Sequence, residues 1–205
     1  MPEVPEPLRG KFVVHLRVVY VGDTAEGERL VAPMRSAAPV MIDEVRDMPY
    51  TEVGSISHDP EGPLPGYDRG ALLRELSPDA IQALLAIAGP DADTPLTMVQ
   101  LTHLGGALAA EPPVPNAVGH RDAAFAVYIV GALAPPVAAK VPPAVEGAIA
   151  TLRPYSSGGT FVNFHGAPGD AADRARPWPP DMYARLRRAK ATYEPGNVFA
   201  YGHAI

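Results

Sequence analysis

An α+β fold is predicted for this chain, with an antiparallel sheet and helices packed on one face of it. Segments rich in β-branched and aromatic residues follow one another without the regular strand–helix alternation of a parallel sheet. Well-capped helical segments lie between groups of them. In addition, 25 prolines and 19 glycines divide the chain into many short elements.

We predict strands in five segments: 11–22, 38–50, 94–109, 121–133 and 158–166. The first alternates so that Phe12, Val14 and Leu16 share one face. The fourth is almost wholly apolar, which is typical of a central strand. Gly105 and Gly106 interrupt the third, as at a bulge or where a ligand or another backbone approaches closely.

Helices are predicted over 25–37, 76–89, 141–155 and 178–193. The second has the clearest boundaries, because Ser77 is a suitable N-cap, Pro78 fits the first helical position and Gly89 ends the pattern. Thr24 is the predicted cap of the first helix. Residues 58–70 are dense in Pro, Gly and Asp and are predicted to form a loop.

Composition narrows the classes of function. The 205 residues suit one domain, or one domain with an appendage. A net charge of −6 disfavours binding to nucleic acid, whose affinity comes largely from Lys and Arg. The chain has no cysteine, so disulfides and thiolate chemistry are excluded. With no apolar run long enough for a membrane helix and no signal-peptide pattern, we expect no membrane partner and a cytoplasmic location.

The six histidines do not occur at metal-ligand spacings such as HxH, and no metal site is predicted. His103 lies beside the paired glycines and is interpreted first as a sheet histidine. His120 and Arg121 precede the central strand and are expected to hydrogen-bond loop carbonyls.

The segment FVNFHG (161–166) carries a polar residue among aromatic ones. As a strand it would place Phe161, Asn163 and His165 on one face and Val162 and Phe164 on the other. A buried Asn needs partners, so Asn163 is expected either to cap a neighbouring loop or to face a ligand. Asn197 follows Pro195–Gly196 and is expected in a turn.

Two C-terminal motifs carry a resemblance to a known family: FVNFHG (161–166) and ARLRRAKATYEPGNVFAYGHAI (184–205). Together they resemble the signature that ends the berberine-bridge-enzyme-like FAD-linked oxidases, of the vanillyl-alcohol-oxidase type. The order of the preceding segments is also similar, so essentially the whole chain resembles the C-terminal half of such an enzyme.

The resemblance implies the substrate-binding half of an FAD-dependent oxidoreductase acting on a small molecule such as an alcohol, a sugar or a secondary metabolite. It implies 11–157 as the substrate-binding domain and 158–205 as the C-terminal segment, while residues 1–10, with three prolines, are expected to be a linker or truncated edge. Asn163 and Asn197 would lie near the flavin. The residues implied to line the substrate cavity are Gly105, Gly106, Phe161 and Phe164.

The chain departs from the family pattern in two respects. Family members often carry a tyrosine base where this chain has Phe164, and a phenylalanine cannot accept a proton, so His165, His103 and Tyr155 become the candidate catalytic residues. The FAD-binding half, with its Gly-rich pyrophosphate loop, is not among these residues. We therefore expect FAD to bind only with a partner FAD-binding subunit or domain, and the chain alone to be inactive.

Two other outcomes stay open. The chain is alternatively a non-catalytic module that binds a small ligand or a protein, or a remnant without function that exposes an apolar patch. The C-terminal tail bears on this choice, because in the family it crosses to the FAD domain. Val198, Phe199 and Ile205 are therefore expected to be partly exposed, or repacked on the sheet or in a homo-oligomer.

Overall fold

A computed structural model describes residues 6–57, 62–167, 169–203 and 205. The chain divides into two units, residues 1–63 and residues 64–205. Part of the predicted loop (58–61), five N-terminal residues of the predicted linker and Ala204 lie outside the described residues.

A three-stranded antiparallel sheet organises the second unit. Its strands are β1 (Gly66–Leu73), β2 (Met98–His103) and β3 (Phe125–Ala132), in the order β1-β3-β2. The apolar β3 is the central strand, as predicted, with Phe125 facing Leu73 on one side and His103 on the other.

Two helices cover one face of this sheet, which confirms the α+β class. These are α2 (Pro78–Ala88) and α3 (Val141–Leu152), both close to their predicted bounds. The Ser77 hydroxyl accepts from the Ala80 N–H at 3.3 Å and caps α2, as predicted. The core beneath them consists of Leu73, Val127, Ile129, Val141, Val145, Ala148 and Leu152.

The opposite face of the sheet is partly covered by residues 156–167. A second apolar cluster lies there, made of Leu72, Leu104, Ala123 and Ala126 with Phe161 packed against it. Phe164 places its ring 5.0 Å from that of Tyr128. Residues of alternate parity along β1 and β3 thus enter two different cores, since successive side chains of a strand point to opposite faces.

The predicted strand at 158–166 is wrong. Residues Val162–Phe164 form a single 3-10 turn, and the Phe164 N–H donates to the Phe161 carbonyl at 3.0 Å. Glycines on both sides favour such tight turns over a ladder, and Gly166 has a φ of 77°. The alternation that paired Asn163 with His165 therefore does not exist in the fold.

Two other predicted bounds need correction. The predicted strand 94–109 shortens to β2, because Gly106 takes a left-handed φ of 51° and begins the 3-10 turn Gly106–Leu108. The predicted loop 58–70 overlaps β1, where pairing with β3 overrides a local composition that favours a loop.

In its described residues, the first unit contains the helix α1 (Thr24–Arg35) and two 3-10 helices, Glu6–Leu8 and Tyr50–Ile56. Asp23 caps α1 by accepting from the Glu26 N–H at 3.1 Å, so the predicted cap at Thr24 is wrong by one residue. The predicted strands 11–22 and 38–50 are not formed by the described residues. A β-rich sequence becomes a strand only when a partner completes its hydrogen bonds, and in neither segment do the described residues pair in a ladder.

The chain continues through the five-residue helix α4 (Ala171–Ala175) to α5 (Pro180–Tyr193), which confirms the helix predicted at 178–193. The tail leaves α5 through a turn in which Asn197 adopts a left-handed φ of 49°. As expected, Val198 and Phe199 are exposed, at 79% and 80% of their surface. Among the described residues, no helix has the length and apolar character needed to cross a membrane.

Candidate functional site

His165 lies at the centre of the most unusual polar group in the second unit. The 3-10 turn Val162–Phe164 carries the chain into the fold at this point, and only 1% of His165 is exposed. Its Nε2 lies 3.3 Å from Asp173 Oδ2. Neither ring nitrogen has a hydrogen-bond partner among the described residues. Burial lowers the pKa of His165 from its ordinary value of 6.5, which favours the neutral ring.

Two donors hold the Asp173 carboxylate. Its Oδ2 accepts from the Gly169 N–H at 2.8 Å, and its Oδ1 accepts from Arg176 at 3.2 Å. Burial alone would raise the pKa of Asp173, but these donors and the nearby His165 outweigh it, so the pKa is lowered. A carboxylate that stays ionised therefore faces a buried neutral imidazole.

The C-terminal tail contributes a second histidine to this group. The His203 ring meets that of His165 edge-on, with 5.0 Å between their centroids, and meets Trp178 edge-on at 5.3 Å. Its Nε2–H donates to the Arg174 carbonyl at 2.8 Å. We call His165, Asp173, Trp178 and His203 the histidine cluster. It joins the tail to the segment around α4.

A third histidine, His120, is hydrogen-bonded to the same segment. The His120 Nε2–H donates to the Arg176 carbonyl at 2.9 Å, and Arg121 donates to the Leu108 carbonyl at 2.8 Å. The expectation that this pair bonds loop carbonyls is confirmed. The His120 ring lies against Gly159, where an added Cβ would be 2.7 Å from the ring. Glycine is needed there for the close approach.

The burial of His165 limits the chemistry that the histidine cluster can perform. Because His165 is almost wholly buried, its ring cannot touch a substrate that approaches from solvent. It can accept a proton, and Asp173 would then stabilise the imidazolium. Through the ring contact of His165 with His203, such a proton would lie next to the residues that join the tail to α4.

The other two candidate catalytic residues lie apart from the histidine cluster. His103 ends β2, is exposed, and has its ring 5.1 Å from that of Phe125. Tyr155 belongs to the 3-10 turn that follows α3 and packs against the core beneath the helices. Among the described residues, no hydrogen bond or ring contact joins His103, Tyr155 and His165, so they do not form one catalytic group.

The two asparagines that the resemblance places near a flavin are both exposed. Asn163 lies within the 3-10 turn before His165, so the expected burial among aromatic rings is wrong. Asn197 is a turn residue, as expected, with its N–H donating to the Glu194 carbonyl at 3.2 Å. It lines an open groove of about 450 Å³ beside α5, together with Arg187, Lys190, Ala191, Glu194, Pro195 and Ile205.

The four residues expected to line a substrate cavity lie in different surroundings. Phe161 borders a cavity of only about 10 Å³, formed with Leu104, Leu108, Val118, Gly119, His120, Arg121 and Ala123. That volume is close to the minimum for one water molecule. Phe164 packs on Tyr128 instead, and Gly105 and Gly106 border neither this cavity nor the groove beside α5.

Among the described residues, no group of three or more His, Asp or Glu side chains is arranged to hold a metal ion. Protein-family models and curated proteins give no match to this chain. The residues that sequence reasoning missed are Asp173, Trp178 and His203. Local spacing gives no sign of their meeting, because α4 and the tail bring them together over 30 residues of chain.

Proposed function

We propose that this chain is the substrate-binding part of an FAD-dependent oxidoreductase, and that FAD is held by a separate FAD-binding domain or subunit. The substrate would be a small molecule and the setting cytoplasmic. The observation that carries the proposal is the apolar tail after α5, which the resemblance assigns to packing on an FAD domain. The motifs FVNFHG and YEPGNVF support the same assignment.

A hydrogen bond and an ion pair connect the tail to the end of α5. The Phe199 N–H donates to Glu194 Oε1 at 2.8 Å, and Glu194 pairs with Lys190 of α5. Val198 and Phe199 are about four-fifths exposed and Tyr201 is fully exposed. Burying one large apolar side chain contributes about 1.5–3 kcal/mol, so these three favour a partner surface.

The flavin would supply the redox chemistry, and the residues of this chain would bind and orient the substrate. Neither cavity described beside Phe161 or α5 encloses a molecule of the size of FAD. The exposed amides of Asn163 and Asn197 are free to contact a group held by another domain. Of the three candidate bases, His103 is the one with an exposed ring, so we assign proton acceptance to it.

The test combines this chain with an FAD-binding protein of the same oxidase class, first of all one encoded beside it. We expect the chain alone to be colourless and the mixture to retain flavin absorbance and to oxidise a substrate. The double variant F199S/Y201S should lose the association. The matched control V114S/Y50S changes side chains that are also strongly exposed, at 78% and 87%, and should keep it.

Association that survives F199S/Y201S would show that the tail is not the contact. Flavin retained by the chain alone would overturn the need for a partner domain. A complex that binds flavin but whose oxidase activity is unchanged in H103A would exclude His103 as the base.

A second candidate function is a non-catalytic module for a small ligand, and the groove beside α5 favours it. Its volume of about 450 Å³ falls within the range of small-molecule sites. Lys190 is paired there with Glu194, so Arg187 beside Ile205 is the cation that would hold an amphipathic anion. Calorimetry with fatty acids should detect binding that weakens in R187A and persists in R185A, since Arg185 lies on the same helix outside the groove.

A further inference from the structure

The backbone of β2 has one side that is paired and one that is not. The Leu104 N–H donates to the Ala124 carbonyl at 2.8 Å, and these residues continue the register in which Met98 faces Val130. In an antiparallel ladder, hydrogen-bonded pairs recur at every second residue. The backbones of Gln100 and Thr102 therefore point to β3, and those of Val99, Leu101 and His103 point away from it.

The outward-pointing backbone groups of β2 find no other backbone partner among the described residues. Within the described part of the chain, no backbone hydrogen bond is formed by the N–H or carbonyl of Val99, Leu101 or His103. The Leu101 side chain is 40% exposed, and His103 is exposed as well. The edge therefore presents a row of donors and acceptors beside an accessible apolar side chain.

The sequence of β2 lacks the usual protection of an edge. MVQLTH contains no Lys, Arg, Asp, Glu or Pro, the residues that normally prevent an exposed strand from pairing with another chain. The register also makes the edge self-complementary. If Leu101 faces Leu101 across a twofold axis, then Val99 of each copy faces His103 of the other.

We infer that β2 is a dimerisation strand, which joins two copies of this chain into a continuous six-stranded antiparallel sheet with Leu101 on the twofold axis. Each facing pair exchanges two backbone hydrogen bonds. The two Leu101 side chains meet on the face that also carries Val127 and Ile129. No charged side chain of β2 opposes its own copy. This inference rests on the β2 edge and not on the proposed oxidoreductase function, and it places His103, the proposed proton acceptor, at the dimer interface.

The test uses proline at two neighbouring positions of the whole chain. L101P removes only an outward N–H, which proline tolerates at a strand edge, so we expect a folded monomer. Q100P removes an N–H that points to β3, so we expect loss of folding. Sedimentation velocity should show the unchanged chain as a dimer, and circular dichroism should show L101P folded.

A second pair of variants keeps the inference testable if L101P fails to fold. L101K places two like charges on the axis and should give a monomer, whereas L85K alters a similarly exposed leucine of α2 (45%) and should stay dimeric. Because the chain has no cysteine, L101C should cross-link about tenfold faster than L85C, as facing Cα atoms at ~5.5 Å suit a disulfide.

Three results would overturn the inference. The first is a monomeric unchanged chain. The second is a dimer that persists in both L101P and L101K, which would place the interface elsewhere. The third is a monomer whose Val99 and Leu101 amides resist hydrogen exchange, which would show that another part of the same chain covers the edge.

Discussion

The two edges of the sheet differ in whether their backbone N–H and carbonyl groups find hydrogen-bond partners. At the β1 edge, the Leu72 N–H donates to the Gly159 carbonyl at 3.1 Å and the Ser157 N–H donates to the Leu72 carbonyl at 2.8 Å. The β2 edge has no comparable cover from the described residues. The same three strands thus carry one closed edge and one edge that can accept another strand.

The difference depends on the segment 156–167, which is irregular and lies close to β1. Phe164 approaches Gly70 so closely that a Cβ there would lie 2.4 Å from the Phe164 carbonyl oxygen. The covering segment therefore also lies against the face of β1 at Gly70, where only a residue without a side chain leaves room, whereas β2 carries ordinary side chains throughout.

The largest difference between the edges is expected from one substitution made on each. Leu72 is fully buried under the covering segment, and L72A should lower the free energy of unfolding by about 3 kcal/mol through a cavity. L101A at the open edge should cost about 0.5 kcal/mol in the dilute monomer. Urea unfolding followed by circular dichroism measures both, and equal losses would contradict the comparison.

Replacing each of two glycines of β1 by valine should distinguish the effect of contact with the covering segment from the effect of strand propensity on stability. G70V places a side chain against the Phe164 backbone and should cost about 2 kcal/mol by overpacking. G66V meets its nearest atom at 3.5 Å, an ordinary contact, and should be nearly neutral. If G70V were as stable as G66V, the covering segment would not be held tightly against β1.

A smaller effect is expected at Arg69, whose guanidinium links β1 to the covering segment at Ala167 and to helix α3. It donates to the Ala167 carbonyl at 2.9 Å and pairs with Glu146 of α3 at 2.9 Å. R69K cannot make both contacts in this geometry and should cost about 1 kcal/mol. R74K, which changes an exposed arginine next to β1, is the control and should have no measurable effect on urea unfolding.

The smallest effect is expected from pH, and it acts through the histidine cluster. The groups that act on the charge of His165 are Asp173, His203, Arg176 and Arg69. Its pKa is lowered in the folded chain, so its contribution to stability is complete above the ordinary value of 6.5 and is lost as pH falls below it. The loss cannot exceed about 1.4 kcal/mol for each unit of pH.

The variant H165F isolates this contribution, because it removes the titrating group and leaves the other histidines. The difference in unfolding free energy between the unchanged chain and H165F should change with pH below 6.5 and be constant above it. A difference that is constant from neutral to acidic pH would show that protonation of His165 does not disturb the cluster.

The helices and the central strand could be predicted from the sequence because their signals are local. Ser77, Pro78 and Gly89 define α2 without reference to any other part of the fold. The segments 11–22 and 158–166 have β-rich composition, but the formation of a strand depends on a partner that local sequence cannot specify.

The features of the candidate site also differ in whether the local sequence could predict them. His165 could be singled out from its motif, but its burial and its contacts with Asp173 and His203 arise from tertiary structure. The turn at Asn197 was predictable, because Pro195–Gly196 before an Asn is a local signal. Whether Asn163 would be buried was not, since the answer depended on a 3-10 turn in place of a strand.

Trp178 gives the chain a built-in optical reporter. It is the only tryptophan, it stacks on Tyr183 at 5.8 Å, and it touches the ring of His203 near the C-terminus. Any event that withdraws the last residues from α4 changes the surroundings of this one indole. Its intrinsic fluorescence can therefore follow release and return of the chain end in real time, in the unlabelled protein.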